Sequence, residues 1–218
     1  MRKLILRFLC LIFGAFLYAL GIVITIKANI GYAPWEVFHV GLSVTTGISL
    51  GAASIIVGIF IVVFVTVCGE TLGFGTFVNI IFIGVFIDLT MALNIIPLAP
   101  NIIIGVIALI AGLFLISVGS YFYMKSAFGA GPRDNLMVVL NRKTKLPVGL
   151  CRSFVELTVT VAGWFLGGMV GIGTVISVIA IGFCIQITFA VFRFDVTAVK
   201  HETLKETFKT IKSAFSSR

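Results

Sequence analysis

Helix breakers and charges interrupt an otherwise apolar sequence at residues 128–145, "FGAGPRDNLMVVLNRKTK". Pro132 suits the first position of a helix, where its missing N–H removes no hydrogen bond, and Asp134 follows in the first turn, where a negative charge complements the helix dipole. The earlier segment "GYAPWE" has the same order, with Pro34 and Glu36. The sequence therefore predicts two short helices that each begin with a carboxylate in the first turn.

Two interpretations of these helix starts remain open. Either Glu36 and Asp134 only cap their own helices, or the two N-termini with these carboxylates and Arg133 form a polar site between the repeats for a small solute or ion. Arg133 also suits a cytoplasmic anchor, because basic residues concentrate on that side of a membrane. His39 is predicted to be a polar-face or interface residue, because no second His or Cys stands at metal-ligand spacing.

Polar side chains also stand inside long apolar segments, where they are costly and usually face protein or water. Asp88 lies in "NIIFIGVFIDLTMAL", and Gln186 lies 98 residues later in "VIAIGFCIQITFAV". Asp88 could bind a proton or cation and Gln186 a solute, or both could only make interhelical hydrogen bonds. Arg152 and Glu156 are four residues apart, which predicts a structural ion pair on one helix face.

Other residues with catalytic or ligand-binding potential form no recognised motif. The cysteines lie in or at the ends of apolar segments without a Cys-x-x-Cys or Cys/His cluster, which predicts inert thiols and no metal site. No phosphate-binding loop, nucleophile elbow or catalytic carboxylate pair is recognisable. We therefore expect no enzyme, no cofactor and no nucleic-acid partner.

The elements that must position these residues are membrane-spanning helices. Of the 218 residues, 60% are hydrophobic and 11% are charged, and the mean hydropathy is +1.21. Both values lie far outside the range of soluble domains. The strands of a transmembrane β-barrel would alternate apolar and polar residues, whereas the stretch "ASIIVGIFIVVFVTV" at 53–67 does not. The sequence predicts an all-α, multi-pass transmembrane bundle.

The chain contains an internal repeat with an offset of 98 residues. At this offset Pro34 aligns with Pro132, and glycines align at several further positions, among them 14/112, 21/119, 31/129, 51/149 and 84/182. Glycine and proline stand where backbone geometry is least replaceable, so apolar composition alone would not keep them in one register. We expect two homologous halves at 1–98 and 99–195, a symmetry that many secondary transporters have.

Each half has three apolar segments of bilayer length and one shorter segment. The six spans are expected at about 4–26, 50–69, 74–95, 101–124, 148–168 and 172–194. The shorter segments, 34–46 and 132–142, would give helices of roughly 15–20 Å at 1.5 Å per residue. They are too short to cross, so we expect them to lie at the interface or to re-enter the membrane.

Positive charges distinguish six crossings from eight. With six crossings the N-terminal cluster Arg2, Lys3 and Arg7 and the five basic residues of 125–145 lie on the same side of the membrane, and the uncharged connection at 96–101 lies on the other. Eight crossings would divide the basic residues of 125–145 across the membrane. The charges favour six spans in two inverted three-span repeats, with both termini cytoplasmic.

At residues 196–218 the sequence changes from almost entirely apolar to a mixture of apolar and charged residues. Apolar residues recur there at helical spacing, with lysines on the other faces: Val196, Val199, Leu204, Phe208, Ile211 and Phe215 against Lys200, Lys205, Lys209 and Lys212. This pattern predicts that the tail is a basic amphipathic helix, which lies on anionic lipids of the cytoplasmic leaflet.

The segment Gly129, Ala130, Gly131, Pro132, Arg133, Asp134 resembles the G-x-G-P-R-D-like sequence of the YczE/YitT-like family of uncharacterised bacterial integral membrane proteins. "GYAPWE" is its weaker counterpart in the first half, and the resemblance extends to about residue 195. It implies a multi-pass protein of the bacterial cell (inner) membrane, and it implies no substrate.

Two functions from different classes are consistent with the sequence. The repeat, the short helices and Asp88 indicate a small secondary transporter or permease with a polar site between the repeats. The absence of a strongly charged pathway and the amphipathic tail instead suit a membrane scaffold or regulator that acts through a partner. We favour the transporter.

Overall fold

Nine helices make up the described part of the chain. The computed structural model describes residues 2–195, 199 and 201–216, and the helices within them are α1 (Arg2–Lys27), α2 (Pro34–Thr46), α3 (Leu50–Val67), α4 (Phe74–Leu93), α5 (Ile102–Lys125), α6 (Pro132–Thr144), α7 (Val148–Phe165), α8 (Ile172–Val191) and α9 (Leu204–Ser216). No β-strand occurs among these residues. The predicted all-α fold is confirmed.

Six of the helices, α1, α3, α4, α5, α7 and α8, are long and apolar enough to cross a membrane. The shortest of them have 18 residues, which is about 27 Å and close to the ~30 Å hydrocarbon core. The helices α2 and α6 have 13 residues each, about 20 Å, and cannot cross. The protein is therefore a multi-pass membrane protein.

The centre of the bundle is the antiparallel pair α1 and α5, which share the most extensive interface. A Cβ added to Gly14 would lie 2.8 Å from the carbonyl oxygen of Gly119, and one added to Gly21 would lie 2.7 Å from that of Gly112. Small residues let two backbones approach this closely in a membrane. Because the earlier glycine of α1 meets the later glycine of α5, the two helices run in opposite directions.

The outer helices are arranged differently in the two halves. The helix α4 packs on α1, and α8 packs on α5. The helix α3 lies along α4, whereas α7 packs mainly against the short helix α2. Gly84 of α4 is in close contact with Gly51 of α3, but a Cβ added to Gly149 of α7 or Gly182 of α8 would meet nothing within 4 Å. The α3–α4 contact is closed, and the equivalent α7–α8 contact is open.

A glycine turn precedes each short helix. The φ angles are +111° at Gly31 and +139° at Gly129, a region that side chains with a Cβ rarely adopt. Each turn is tied to the start of a spanning helix: the N–H of Gly173 donates to the Ile30 carbonyl at 2.7 Å, and that of Gly75 donates to the Phe128 carbonyl at 2.8 Å. These backbone bonds direct the first turns of α2 and α6 into the bundle.

The C-terminal helix begins later than the apolar pattern suggested. Thr203 is the N-cap: its N–H donates to Glu206 Oε2 at 2.7 Å, and the Glu206 N–H donates to Thr203 Oγ1 at 3.4 Å. This reciprocal pair is a capping box, and it starts the helix at Leu204. The bonds from Thr203 hold the pKa of Glu206 below its ordinary value. The predicted helix is wrong for residues 201–203, and Val196 lies outside the described residues.

The segment before α9 is bound to the bundle. Arg7 Nη1 lies 2.6 Å from Glu202 Oε1, and Arg7 Nε donates to the Ser126 carbonyl at 2.8 Å. The N–H of Glu202 donates to the Ala127 carbonyl at 2.9 Å, and that of Leu204 donates to the Leu72 carbonyl at 3.1 Å. The tail is thus joined to the N-terminus of α1, the end of α5 and the α3–α4 connection.

Candidate functional site

A cavity of about 300 Å³ lies inside the bundle, between the two short helices and the helices α3, α4, α5, α7 and α8. Four charged side chains line it: Arg133, Asp134, Arg152 and Glu156. Its volume is at the lower end of the roughly 300–1,000 Å³ of small-molecule sites. Charged side chains in the apolar interior of a membrane protein usually mark a functional site.

Arg133 connects the N-terminal turns of α2 and α6 across this cavity. Its Nη2 lies 3.5 Å from Glu36 Oε1, and its Cζ lies 4.7 Å from the ring centroid of Trp35. Glu36 is 4% exposed, so its carboxylate has little water to solvate it and depends on the guanidinium. The ion pair and the cation–π contact therefore hold the first turns of both short helices at one place.

Asp134 has a different partner. The hydroxyl of Tyr123 donates to Asp134 Oδ2 at 2.8 Å. A Cβ added to Gly131 would lie 2.9 Å from Asp134 Oδ2, 3.3 Å from Tyr123 Oη and 3.7 Å from Asn79 Nδ2. Side chains from α6, α5 and α4 thus converge on the N-cap residue of α6.

Asn79 is 4% exposed, and its Oδ1 has no hydrogen-bond partner among the described residues. An unpaired amide oxygen is costly in a protein interior, and more so in a membrane. Asn79 lines the cavity. It is therefore a polar group that a bound molecule could satisfy.

The pair Arg152 and Glu156 lies in the wall of the same cavity. Arg152 Nε donates to Glu156 Oε1 at 2.8 Å, on one face of α7. Sequence spacing predicted a structural pair here. The structure brings this pair to the cavity, so its two charges belong to the electrostatics of the site.

His39 is 2% exposed and lies beside Trp35, with 6.3 Å between the ring centroids. It lines the cavity rather than a polar outer face. Among the residues that the structure describes, no group of three or more His, Cys, Asp or Glu side chains is close enough to hold a metal ion. His39 can therefore contribute a ring to the wall of the cavity.

Asp88 and Gln186 lie elsewhere. Asp88 accepts hydrogen bonds from Ser49 Oγ at 2.5 Å and from the Gly51 N–H at 2.7 Å, so it joins α4 to the N-terminus of α3. Gln186 is exposed on α8. Neither side chain lines the cavity, and the structure does not bring them together with Glu36, Arg133 and Asp134.

Sequence reasoning missed the residues that complete the site, Trp35, Asn79 and Tyr123. A signal existed for Asn79, because an amide inside an apolar span is costly and requires a reason. The repeat places Ser177 at the equivalent position, and the Ser177 hydroxyl also has no partner among the described residues. No comparable signal marked Trp35 or Tyr123, since aromatic residues are common throughout membrane helices.

The comparisons with known proteins agree with the resemblance seen in the sequence. The family of unknown function DUF6198 matches residues 5–189. The uncharacterized membrane protein YczE of Bacillus subtilis is 34% identical over 187 residues, which cover 85% of this chain and 86% of YczE.

Two further relatives have similar coverage. An uncharacterized protein of Haemophilus influenzae is 31% identical over 176 residues, 81% of this chain and 80% of that protein. The uncharacterized protein YyaS of Bacillus subtilis is 27% identical over 169 residues, 76% of this chain and 83% of YyaS. No solved structure matches the chain.

Proposed function

The chain belongs to the family of unknown function DUF6198, and we propose that this member is a small secondary transporter or permease of the bacterial cell membrane. Its solute site is the cavity between the two short helices. The observation that carries the proposal is the contact of Arg133 on α6 with Glu36 and Trp35 on α2. It joins the broken segments of both halves at one polar site, as in many transporters built from inverted repeats.

An inverted repeat is supported by the geometry of α1 and α5. At the offset of 98 residues, Gly14 is equivalent to Gly112, and Gly21 is equivalent to Gly119. Gly14 contacts Gly119 and Gly21 contacts Gly112, so exchanging the two halves turns one contact into the other. Such an exchange is what a two-fold axis between antiparallel helices produces. Helix bounds agree as well, because α2, α3 and α4 begin and end 98 residues before α6, α7 and α8.

The unequal packing of the two halves supports an alternating mechanism. In this conformation α3 is closed on α4, with Gly51 at Gly84, while Gly149 and Gly182 face open space. If the halves exchange these arrangements, α7 closes on α8 while α3 moves away from α4, and access to the cavity changes side. Transport needs no chemical step at the cavity, so the protein is no enzyme.

The orientation follows from charge. The end of α5 carries Lys125, and the end of α6 with the turn after it carries Arg142, Lys143 and Lys145. Because basic residues concentrate on the cytoplasmic side, this side of the bundle faces the cytoplasm together with both termini. On α9 the side chains of Lys205, Lys209 and Lys212 are exposed. They are available to the anionic lipids of the cytoplasmic leaflet, at about 1 kcal/mol for each cation near the surface.

Cysteine accessibility tests the proposal without knowledge of the solute. In a background without the native cysteines, Ser120→Cys places a thiol in the cavity wall, and Ser117→Cys places one on the same helix where the side chain is 0% exposed. Each variant is treated with a small cationic methanethiosulfonate reagent in intact cells and in inverted vesicles.

Alternating access predicts that the cysteine at 120 reacts from both sides and that the cysteine at 117 reacts from neither. Reaction at 120 from one side only would contradict the transporter and favour the scaffold or regulatory protein.

A further inference from the structure

We propose that the cavity takes a small organic cation with a primary ammonium group and a short apolar body. The inference rests on the proposed function, because it assigns the chemical class of the solute at the same cavity. Charge balance, hydrogen-bond acceptors and the shape of the walls each contribute one part of the argument.

The charges at the cavity leave one carboxylate without a cation. Arg133 is paired with Glu36 at 3.5 Å, and Arg152 is paired with Glu156 at 2.8 Å. Asp134 forms no ion pair with a described residue and is bonded to the neutral hydroxyl of Tyr123. Counting Glu36, which pairs with Arg133 but does not itself line the cavity, two guanidinium groups stand against three carboxylates, a formal charge of −1. Asp134 is half-buried in the cavity wall. A charge that is partly removed from water is stabilised by a counter-charge, and a monovalent cation in the cavity supplies it.

Two acceptor groups lie near each other in the cavity wall. Asp134 Oδ2 and Tyr123 Oη lie 2.9 and 3.3 Å from the position that a Cβ on Gly131 would occupy, and the amide nitrogen of Asn79 lies 3.7 Å from the same position, so the Asn79 amide stands beside the Asp134 carboxylate. The Asn79 oxygen Oδ1 has no donor among the described residues. An ammonium group has three N–H donors and no acceptor, so it can bind the carboxylate and the amide oxygen together. A phosphate or carboxylate beside Asp134 would meet a like charge and would leave the Asn79 oxygen without a donor.

The remaining walls are mostly apolar. Val57, Ile80, Ile116 and Ile181 line the cavity, and Tyr18 adds an aromatic ring. Apolar walls with a few polar groups are typical of sites that bind small amphipathic molecules. In about 300 Å³ such walls accommodate one ring or a short alkyl chain beside the ammonium group.

The test uses three probes with the same phenylethyl body and head groups of different charge: phenethylammonium (+1), 2-phenylethanol (0) and 3-phenylpropionate (−1). The chain has two tryptophans; Trp35 lines the cavity, and Trp164 is 60% exposed on α7. In full-length protein with Trp164→Phe, in lipid nanodiscs, the fluorescence of Trp35 therefore reports the cavity alone. We expect a saturable change with phenethylammonium, at least tenfold weaker binding of the alcohol, and no binding of the anion.

Variants connect the binding to the site. Asp134→Asn is expected to weaken phenethylammonium binding at least tenfold, because it removes the uncompensated charge. Glu70→Gln is the matched control: its carboxylate lies 3.1 Å from Arg142 and outside the cavity, so binding should not change. Asn79→Ala gives a second readout should Asp134→Asn fail to fold, and it is also expected to weaken binding. Melting temperature and gel filtration establish folding.

Equal affinity for the alcohol, preference for 3-phenylpropionate, absence of binding by every probe, or unchanged affinity in the folded variants would each overturn the cation proposal. These outcomes are separate from the cysteine test. Two-sided reaction at position 120 with preference for the anion would retain the transporter and assign the arginines to solute binding. One-sided reaction at 120 would remove the transporter itself.

Discussion

Three carboxylates in the apolar part of this protein have three different partners. Glu36 is paired with Arg133, Asp134 accepts from Tyr123, and Asp88 accepts from the first turn of α3. A carboxylate at a helix N-terminus bonds to N–H groups that have no partner within the helix and complements the helix dipole. At the residue scale, Asp88 therefore stabilises the α3–α4 contact.

The substitution Asp88→Asn should lower the melting temperature while phenethylammonium binding is retained. The amide has one acceptor oxygen for the two donors that Asp88 now binds, and hydrogen bonds to charged groups contribute about 1.5–3 kcal/mol. Gln186→Ala, at the equivalent and exposed position, is the control and should have little effect. An unchanged melting temperature would contradict the capping role. Loss of binding with normal stability would instead support the ion- or proton-binding role predicted for Asp88.

At the scale of elements, the two halves use equivalent glycines differently. A Cβ on Gly51 would lie 2.6 Å from Asp88 Cγ, and one on Gly149 would meet nothing within 4 Å. Gly51 therefore permits the close contact of α3 with α4. Gly149 stands at the equivalent place on α7, where no such contact with α8 is formed. The tail adds an element without a repeat equivalent, joined to the bundle through Arg7 and Glu202.

The pair Gly51→Ala and Gly149→Ala measures this difference in one experiment. We expect Gly51→Ala to lower the melting temperature, because overpacking of a helix contact costs about 1–3 kcal/mol. Gly149→Ala should be neutral or slightly stabilising, because alanine is favoured over glycine inside a helix by up to about 1 kcal/mol. Thermal unfolding in detergent, followed by circular dichroism, compares the two. Equal effects would show that the α3–α4 and α7–α8 contacts are alike in solution.

At the scale of the whole molecule, the predicted orientation is tested by labelling in intact cells. In a cysteine-free background, Leu98→Cys lies in the α4–α5 connection and Thr144→Cys lies at the end of α6, and both positions are exposed. A membrane-impermeant maleimide should modify position 98 directly and position 144 only after permeabilisation. Labelling of 144 in intact cells would contradict inverted halves with cytoplasmic termini.

The sequence by itself determined the helices, because their signals are local. The length of each apolar segment predicted the six spans, and a glycine shortly before Pro34 and another before Pro132 predicted where α2 and α6 begin. The spacing of Arg152 and Glu156 predicted a pair that lies within one helix. Each of these features depends on one continuous stretch of the chain, so the rest of the fold did not need to be known.

Only the tertiary structure decided which polar residues share a cavity. A membrane helix such as α4 or α8 is apolar on nearly every face, so its periodicity does not show which face meets protein and which meets lipid. For this reason Asp88 and Asn79 could not be assigned to different environments from the sequence, although both lie on α4. The repeat imposes the same pattern on both halves, so it also could not predict that α3 closes on α4 while α7 packs on α2. The contact of Arg133 with Glu36 joins residues far apart in the chain, and it exists because the antiparallel α1–α5 pair brings the two short helices to one place.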